Sequence, residues 1–348
     1  MQLLVLSGSA VRGVLGYARC AEAMRAALVA RARGEVFQPL RSVIKPDGAA
    51  GFMGLMPAYQ SGSAAAYGLK AICVTPANPA AGLDAHQGIV LLSDAATGQP
   101  QAVLNASAVT EIRTAAVSAV ATELLARPEA DVLAIVGTGV QARAHLMAVS
   151  ATRPLAEVRI AGRTPEKAAR FAADVAPAAL AEVDAQAPDE QMPHAADATV
   201  VACRSAADAV RGAGIVVIAT SSAVPVIVRD WLDPGTHLNA VGACLPHARE
   251  LDTATVACAR LYADSRESVL AESGDYLLAA ADGAIGPDHI RAEIGDLLAG
   301  LADGHGRSDA AEITVFESLG LAAEDLAAAV VAYRAALEDG AGAWLDFD

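Results

Sequence analysis

Aromatic residues make up only 4% of this 348-residue chain, and no stretch of it is rich in lysine or arginine. Basic residues number 25 against 40 acidic ones, a formal charge of −15. Such a surface repels phosphate backbones, so nucleic acid is not expected as a partner. No run of about 18 uncharged apolar residues occurs that could cross a bilayer. The amino-terminal MQLLVLSGSAVRGVL also lacks a basic region ahead of its short apolar stretch, and a cytoplasmic protein without membrane contact is expected. The five cysteines (Cys20, Cys73, Cys203, Cys244, Cys258) are odd in number and contain no CxxC pair, and the seven histidines show neither HxxxH nor HxH spacing. Neither a disulfide framework nor a bound metal is expected. His145 and His237 read as packed or capping residues.

What is present is apolar and small. Hydrophobic residues account for 54% of the chain, with alanine, valine and leucine prominent, as in helices packed on an apolar sheet. From Asp131 the order is regular: strand DVLAIVG, helix VQARAHLMAVSA, strand EVRIAG, helix PEKAARFAADVA, strand ATVV, helix SAADAVRGA, then strands IVVIAT and HLNAVG. Strands alternating with helices at this spacing predict βαβ units and a parallel sheet, an α/β fold. The preceding part differs. GLKAICVTPANPAAGL reads as strand and loop, and GIVLLSDAATGQPQAVLN as two strands about a Thr-Gly-Gln-Pro turn, which predicts a mixed, mostly antiparallel α+β domain. The helix VTEIRTAAVSAVATELLA would bridge the two, and the stretch beyond residue 310 would return to the first domain. The expected division is 1–115 with 310–348, and 116–309.

LAIVGTGVQA places a GxGxxA turn directly between an apolar strand and a helix. In that setting Gly137 makes the tight turn, Gly139 lets the backbone approach a pyrophosphate, and Ala142 permits close helix packing, with Thr138, Val140 and Gln141 completing the cradle. An NAD site would show an acid at the end of the next strand; here stand Gly162, Arg163 and Thr164. A guanidinium beside a hydroxyl suits a 2′-phosphate, so NADP is the preferred cofactor, with NAD possible. The ends of the later strands, Ala219, Thr220, Ser221 and Val241, Gly242, are further candidate contacts. In the first domain Arg41, Lys70 and Arg113 stand out. Lys70 lies within an apolar strand pattern where an unpaired ammonium would be expensive. Each alone suits a structural ion pair; together they could hold a substrate carboxylate.

The run from Arg41 through MPAYQ, GLK, the NPAAGL loop, TGQPQAVLNASAVTEIRTAAVSAVATELLARP, VGTGVQA, HLNAVGA and ESLGLAAEDL resembles the ornithine cyclodeaminase/mu-crystallin family over nearly the whole chain. The resemblance implies a homodimer whose first domain supplies dimerisation and substrate binding, with a Rossmann-type, doubly wound parallel-sheet domain inserted before the C-terminal helix. It also implies that Arg41, Lys70 and Arg113 are the carboxylate-binding, catalytic set. Where cyclodeaminases and alanine dehydrogenases of the family carry an aspartate after the NAVG strand, this chain has Cys244, and a thiol with an ordinary pKa of about 8.5 is a poor substitute for a carboxylate base. Between Arg41 and Lys70 the only acid is Asp47, so nothing obvious holds the distal ammonium of ornithine. Phe52, Met53, Leu55 and Met56 would suit an apolar ring, with Cys244 beside the substrate. The expectation is therefore NADPH-dependent reduction of a cyclic ketimine carboxylate (pyrroline-2-carboxylate or piperideine-2-carboxylate) to proline or pipecolate. Two alternatives remain open at this point: an NAD-dependent cyclodeaminase or amino-acid dehydrogenase, and a non-catalytic NADP-binding protein of the mu-crystallin kind.

Overall fold

A computed structural model describes residues 1–186, 194–304 and 306–347, and the chain divides into two units, Met1–Arg113 with Gly320–Asp348, and Thr114–Leu319. The first unit holds strands β1 (Gln2–Leu6), β2 (Val36–Phe37), β3 (Ser42–Ile44), β4 (Phe52–Gln60), β5 (Ala66–Val74), β6 (His86–Asp94) and β7 (Pro100–Asn105). The second carries β8 (Val132–Val136), β9 (Glu157–Ala161), β10 (Thr199–Ala202), β11 (Ile215–Ile218), β12 (His237–Ala240), β13 (Arg260–Ala263), β14 (Ile290–Glu293) and β15 (Thr314–Glu317), after which the chain returns to the first unit for β16 (Ala343–Asp346).

The first sheet runs β16-β1-β7-β6-β5-β4-β2, with β3 on β4. β1 and β7 pair in parallel; the other neighbours are antiparallel. Successive side chains of a strand point to opposite faces, so the register separates two surfaces. Lys70 lies opposite Met56 on β4 and Val90 on β6, and this face, with Ala58, Ala66, Ile72, Leu92, Ala102 and Leu104, is buried. The helix Ala322–Asp339 packs on it, contacting β4, β5, β6 and the helix Tyr17–Ala32. Its alanine content gives high helix propensity and a thin buried stripe, and it stops at Gly340 in the left-handed region, φ 65°. The approach is close: a Cβ at Gly68 would lie 2.9 Å from a methyl of Leu326. The other face carries Met53, Tyr67 and Ile89, all exposed.

The second sheet is parallel throughout, in the order β10-β9-β8-β11-β12-β15-β13-β14. Strands β8 (VLAIV) and β11 (IVVI) are almost wholly buried, as a sheet covered on both faces requires. The order reverses between β8 and β11, where doubly wound sheets bind ligands at the carboxyl ends of their strands. The unit extends to Leu319 rather than to residue 309, because β15 hydrogen-bonds between β12 and β13 and belongs to this sheet. The other boundary falls inside the continuous helix Ala106–Leu125.

His145 and His237 are both fully buried in the second unit. One ring nitrogen of His145 lies 2.7 Å from the Gln141 carbonyl and the other 3.0 Å from the Ser118 hydroxyl; His237 Nδ1 lies 2.9 Å from the Thr314 hydroxyl. Burial pushes them down to about 4 and about 3 from an ordinary 6.5. A depressed folded-state pKa contributes stability that is present above pH 6.5 and lost as the pH falls towards 4. Unfolding free energy measured by urea titration should therefore decline over that window. His145→Gln should make the decline shallower; an unchanged slope would contradict the assignment.

Candidate active site

Lys70 and Arg113 are built into the covered face of the first sheet and meet one acid. Lys70 Nζ lies 2.7 Å from Asp325 Oδ2, and Arg113 Nε donates to Asp325 Oδ1 at 3.0 Å. Arg113 Nη1 also donates to Glu324 Oε2 at 2.9 Å. All four side chains are 5% exposed or less. Burial is the main cause that pushes the Lys70 ammonium down to about 8, with Arg113 and Arg41 adding to it and Asp325 opposing. Arg41 Nη2 donates to the Gly320 carbonyl at 3.3 Å. Gly320 has φ +82°, and a Cβ there would lie 2.6 Å from both terminal nitrogens of Arg113. Only glycine lets the start of the C-terminal helix pass this close to the guanidinium. The three cations that the sequence singled out thus surround one turn of chain.

Sequence reasoning passed over Glu324 and Asp325. Two acids opening an alanine-rich helix read as ordinary partners of the helix dipole; the signal that could have found them was the apolar setting of Lys70, which demands a buried counter-ion. His86 was missed as well. It lies on the Lys70 face at the exposed start of β6, and its imidazole is held below its ordinary value by desolvation and by the positive charges of Lys70 and Arg113. The apolar set does not form one wall. Phe52 and Met56 share the parity of Lys70, whereas Met53 and Leu55 point to the open face, opposite Cys73 and Ala71. Met53 is thereby removed from the substrate-pocket set by the two-residue period of the strand.

In the second unit the turn after β8 is shaped by lack of room. Gly137 has φ +136°, and a Cβ there would fall 2.3 Å from the Ala219 carbonyl at the end of β11. Its N–H donates to the Ala161 carbonyl at the end of β9 at 2.9 Å. At Gly139, the N-cap of the helix Val140–Ser150, a Cβ would meet nothing within 4 Å. The helix has no side-chain cap, and Ala142 in its first turn is fully buried. Open backbone before an uncapped helix fits a dinucleotide pyrophosphate. Gly162 lies against the turn, its Cβ position 3.0 Å from the Thr138 methyl. Arg163 next to it is exposed, and Thr164 is the N-cap of the helix Pro165–Arg170.

A buried acid joins the ends of β11 and β12. Glu250 Oε1 accepts from the Thr220 N–H at 2.7 Å and the Thr220 hydroxyl at 2.6 Å, and Oε2 accepts from the Gly242 N–H at 2.6 Å. Burial pushes this carboxyl up to about 8. The Cys244 thiol donates to the carbonyls of Val241 at 3.3 Å and Ser318 at 3.8 Å.

The model of the ornithine cyclodeaminase/mu-crystallin family matches residues 1–340. Ketimine reductase mu-crystallin of Mus musculus is 39% identical over 300 residues, 86% of this chain and 85% of its own. The solved Delta(1)-pyrroline-2-carboxylate reductase of Thermococcus litoralis, in complex with NADH and L-proline, is similar with a TM-score of 0.89 at 34% identity, covering 98% of this chain and 99% of that one. An archaeal alanine dehydrogenase dimer with bound NAD gives a TM-score of 0.83 at 30% identity over the whole of both chains.

The ion-pair geometry sets an order of stabilities. Asp325→Asn leaves Lys70 and Arg113 buried with one counter-charge fewer and should cost about 3–5 kcal/mol. Lys70→Met leaves Asp325 bound to Arg113 and should cost less. Urea unfolding of the two variants measures the order, and its reversal would contradict the network described.

Proposed function

Because the chain belongs to the ornithine cyclodeaminase/mu-crystallin family, we propose that it reduces the C=N bond of a cyclic ketimine carboxylate, pyrroline-2-carboxylate or piperideine-2-carboxylate, to proline or pipecolate. The observation that carries this reading is the charge count around Gly320. Arg41, Lys70 and Arg113 supply three positive charges, while Glu324 and Asp325 supply two negative ones. One charge is left over, which suits one substrate carboxylate. Both acids are engaged by Lys70 or Arg113, so neither serves a distal ammonium. Cys244, donating to two carbonyls, offers no carboxylate for cyclodeamination.

In this reading Arg41 and Arg113 present guanidinium forks to the carboxylate and fix its plane. Lys70, held by Asp325, adds the third contact and stands as a proton source for the imine nitrogen; a protonated imine is the better hydride acceptor. Met56, beside Lys70 on the same face, together with Phe52 offers apolar surface to the ring. Residues Gly137–Ala142 would hold the pyrophosphate, Ala219–Ser221 and Val241–Gly242 the nicotinamide half, and Gly162–Thr164 the adenosine half. The nicotinamide dinucleotide supplies the hydride. Arg163 supports NADPH over NADH, since its exposed guanidinium stands where an NAD site would carry an acid.

The reading includes a homodimer and a cytoplasmic setting. The open face of the first sheet, with Met53, Tyr67 and Ile89 exposed and Tyr59 packed on Tyr67 at 4.8 Å between ring centroids, is an apolar surface of the kind a second copy covers. All five cysteines are free, which suits a reducing compartment. Among the described residues no helix is long and apolar enough to cross a membrane.

Purified protein given pyrroline-2-carboxylate or piperideine-2-carboxylate should consume NADPH faster than NADH; ammonia released from ornithine with NAD would defeat the reading. Lys70 loses its charge as the pH rises through about 8, so kcat/KM should fall on that alkaline side. Lys70→Arg, charged throughout, should remove the limb even where its rate is lower. Arg163→Asp should shift preference towards NADH. Tyr67→Lys with Ile89→Glu should give monomers by light scattering, and a persistent dimer would place the interface elsewhere.

A further inference from the structure

We propose that Glu250 is a positioning residue that fixes the nicotinamide half of the dinucleotide site and leaves the adenine half untouched. The inference rests on the dinucleotide reading above. In a doubly wound sheet each half of the strand set serves one mononucleotide, on either side of the reversal point. Here the reversal lies between β8 and β11. Arg163 follows β9 on one side, while Thr220 and Gly242 follow β11 and β12 on the other. Glu250 touches the second side only.

Its carboxylate meets three donors, the Thr220 N–H, the Thr220 hydroxyl and the Gly242 N–H, all within 2.7 Å. The two loop ends are pressed together over it: a Cβ at Gly242 would fall 2.1 Å from the Thr220 carbonyl and 2.6 Å from Glu250 Oε1. The residue is itself anchored on both sides. Its N–H donates to Asp275 Oδ1 at 2.8 Å, and its carbonyl accepts from Val226 at 2.8 Å and Ile227 at 3.0 Å. Asp275 in turn sits in the helix Gly274–Ala281, whose first residue has no room for a side chain, a Cβ there falling 1.7 Å from the Ala248 carbonyl. A single acid thus sets the separation of two backbone segments that end adjacent parallel strands. Water could satisfy those donors only if the loops parted. Removing the carboxylate therefore changes loop spacing beyond β11 and β12, on the side of the reversal point away from Arg163.

The test is a binding split. The measurements are made above pH 8, where Glu250 is ionised and accepts only; there Glu250→Gln keeps size but turns an amide N–H towards Gly242 or Thr220, which already donate. Dissociation constants are measured by calorimetry for whichever reduced dinucleotide the wild type binds more tightly, and for its matching adenine half, 2′,5′-ADP for NADPH or ADP for NADH. The variant should bind the adenine half within about twofold of wild type and the full dinucleotide at least tenfold more weakly, with the fluorescence gain of bound reduced nicotinamide lost. Thr220→Val, which deletes one of the three donors and keeps the fold-bearing backbone bond, should show the same split at about threefold. Equal weakening of both ligands in these variants, or of neither, overturns the inference while leaving the dinucleotide reading intact. Wild-type protein that binds neither ligand overturns both.

Discussion

A carboxylate shared between an ammonium and a guanidinium, Asp325 between Lys70 and Arg113, is the interaction on which the first unit turns. Three segments distant in sequence bring these groups together: a central strand, the helix that leaves the first unit, and the helix that returns to it. Each charge would be costly alone in so dry a setting, and each is tolerable because the others are present. The arrangement also explains why the returning helix is thin. Alanines let it lie close enough to β5 for Leu326 to touch the Gly68 position, which brings the adjacent Asp325 within reach of Lys70.

The second unit meets a different constraint, the need for bare backbone. Gly137 and Gly242 each stand where a methyl group would strike a carbonyl on a neighbouring loop. One permits the turn after β8 and the other lets the end of β12 lie against that of β11. Such places are set by sterics and not by attraction, and they leave the strand ends near enough for one buried acid to tie two of them.

Much of this was readable beforehand. The long apolar strands of the second unit and its GxGxxA turn announce themselves because a parallel sheet buried on both faces must be continuously apolar. Lys70 was conspicuous for the opposite reason, a charge in an apolar pattern. Asp325 was hidden, since an acid in the first turn of a helix looks like any other and only three-dimensional proximity distinguishes it. Glu250 was hidden likewise: in AREL it has the look of a solvated loop residue, and its burial arises from loops that no local pattern describes. Met53 was misplaced because a run of apolar residues in a strand does not reveal which of its alternate members faces the site. The boundary near 310 moved to Leu319 because β15 pairs only with strands remote in sequence.

Strand β5 places Lys70 on one side and Tyr67, Leu69 and Ala71 on the other. Sliding it by a single residue against β4 and β6 would exchange the two sets, turning the ammonium outward to water and driving a tyrosine ring into the helix-covered interior. Whatever mutation offers this strand, the buried ammonium and the exposed apolar face are inherited together, and neither can be tuned by shifting the pairing without destroying the other.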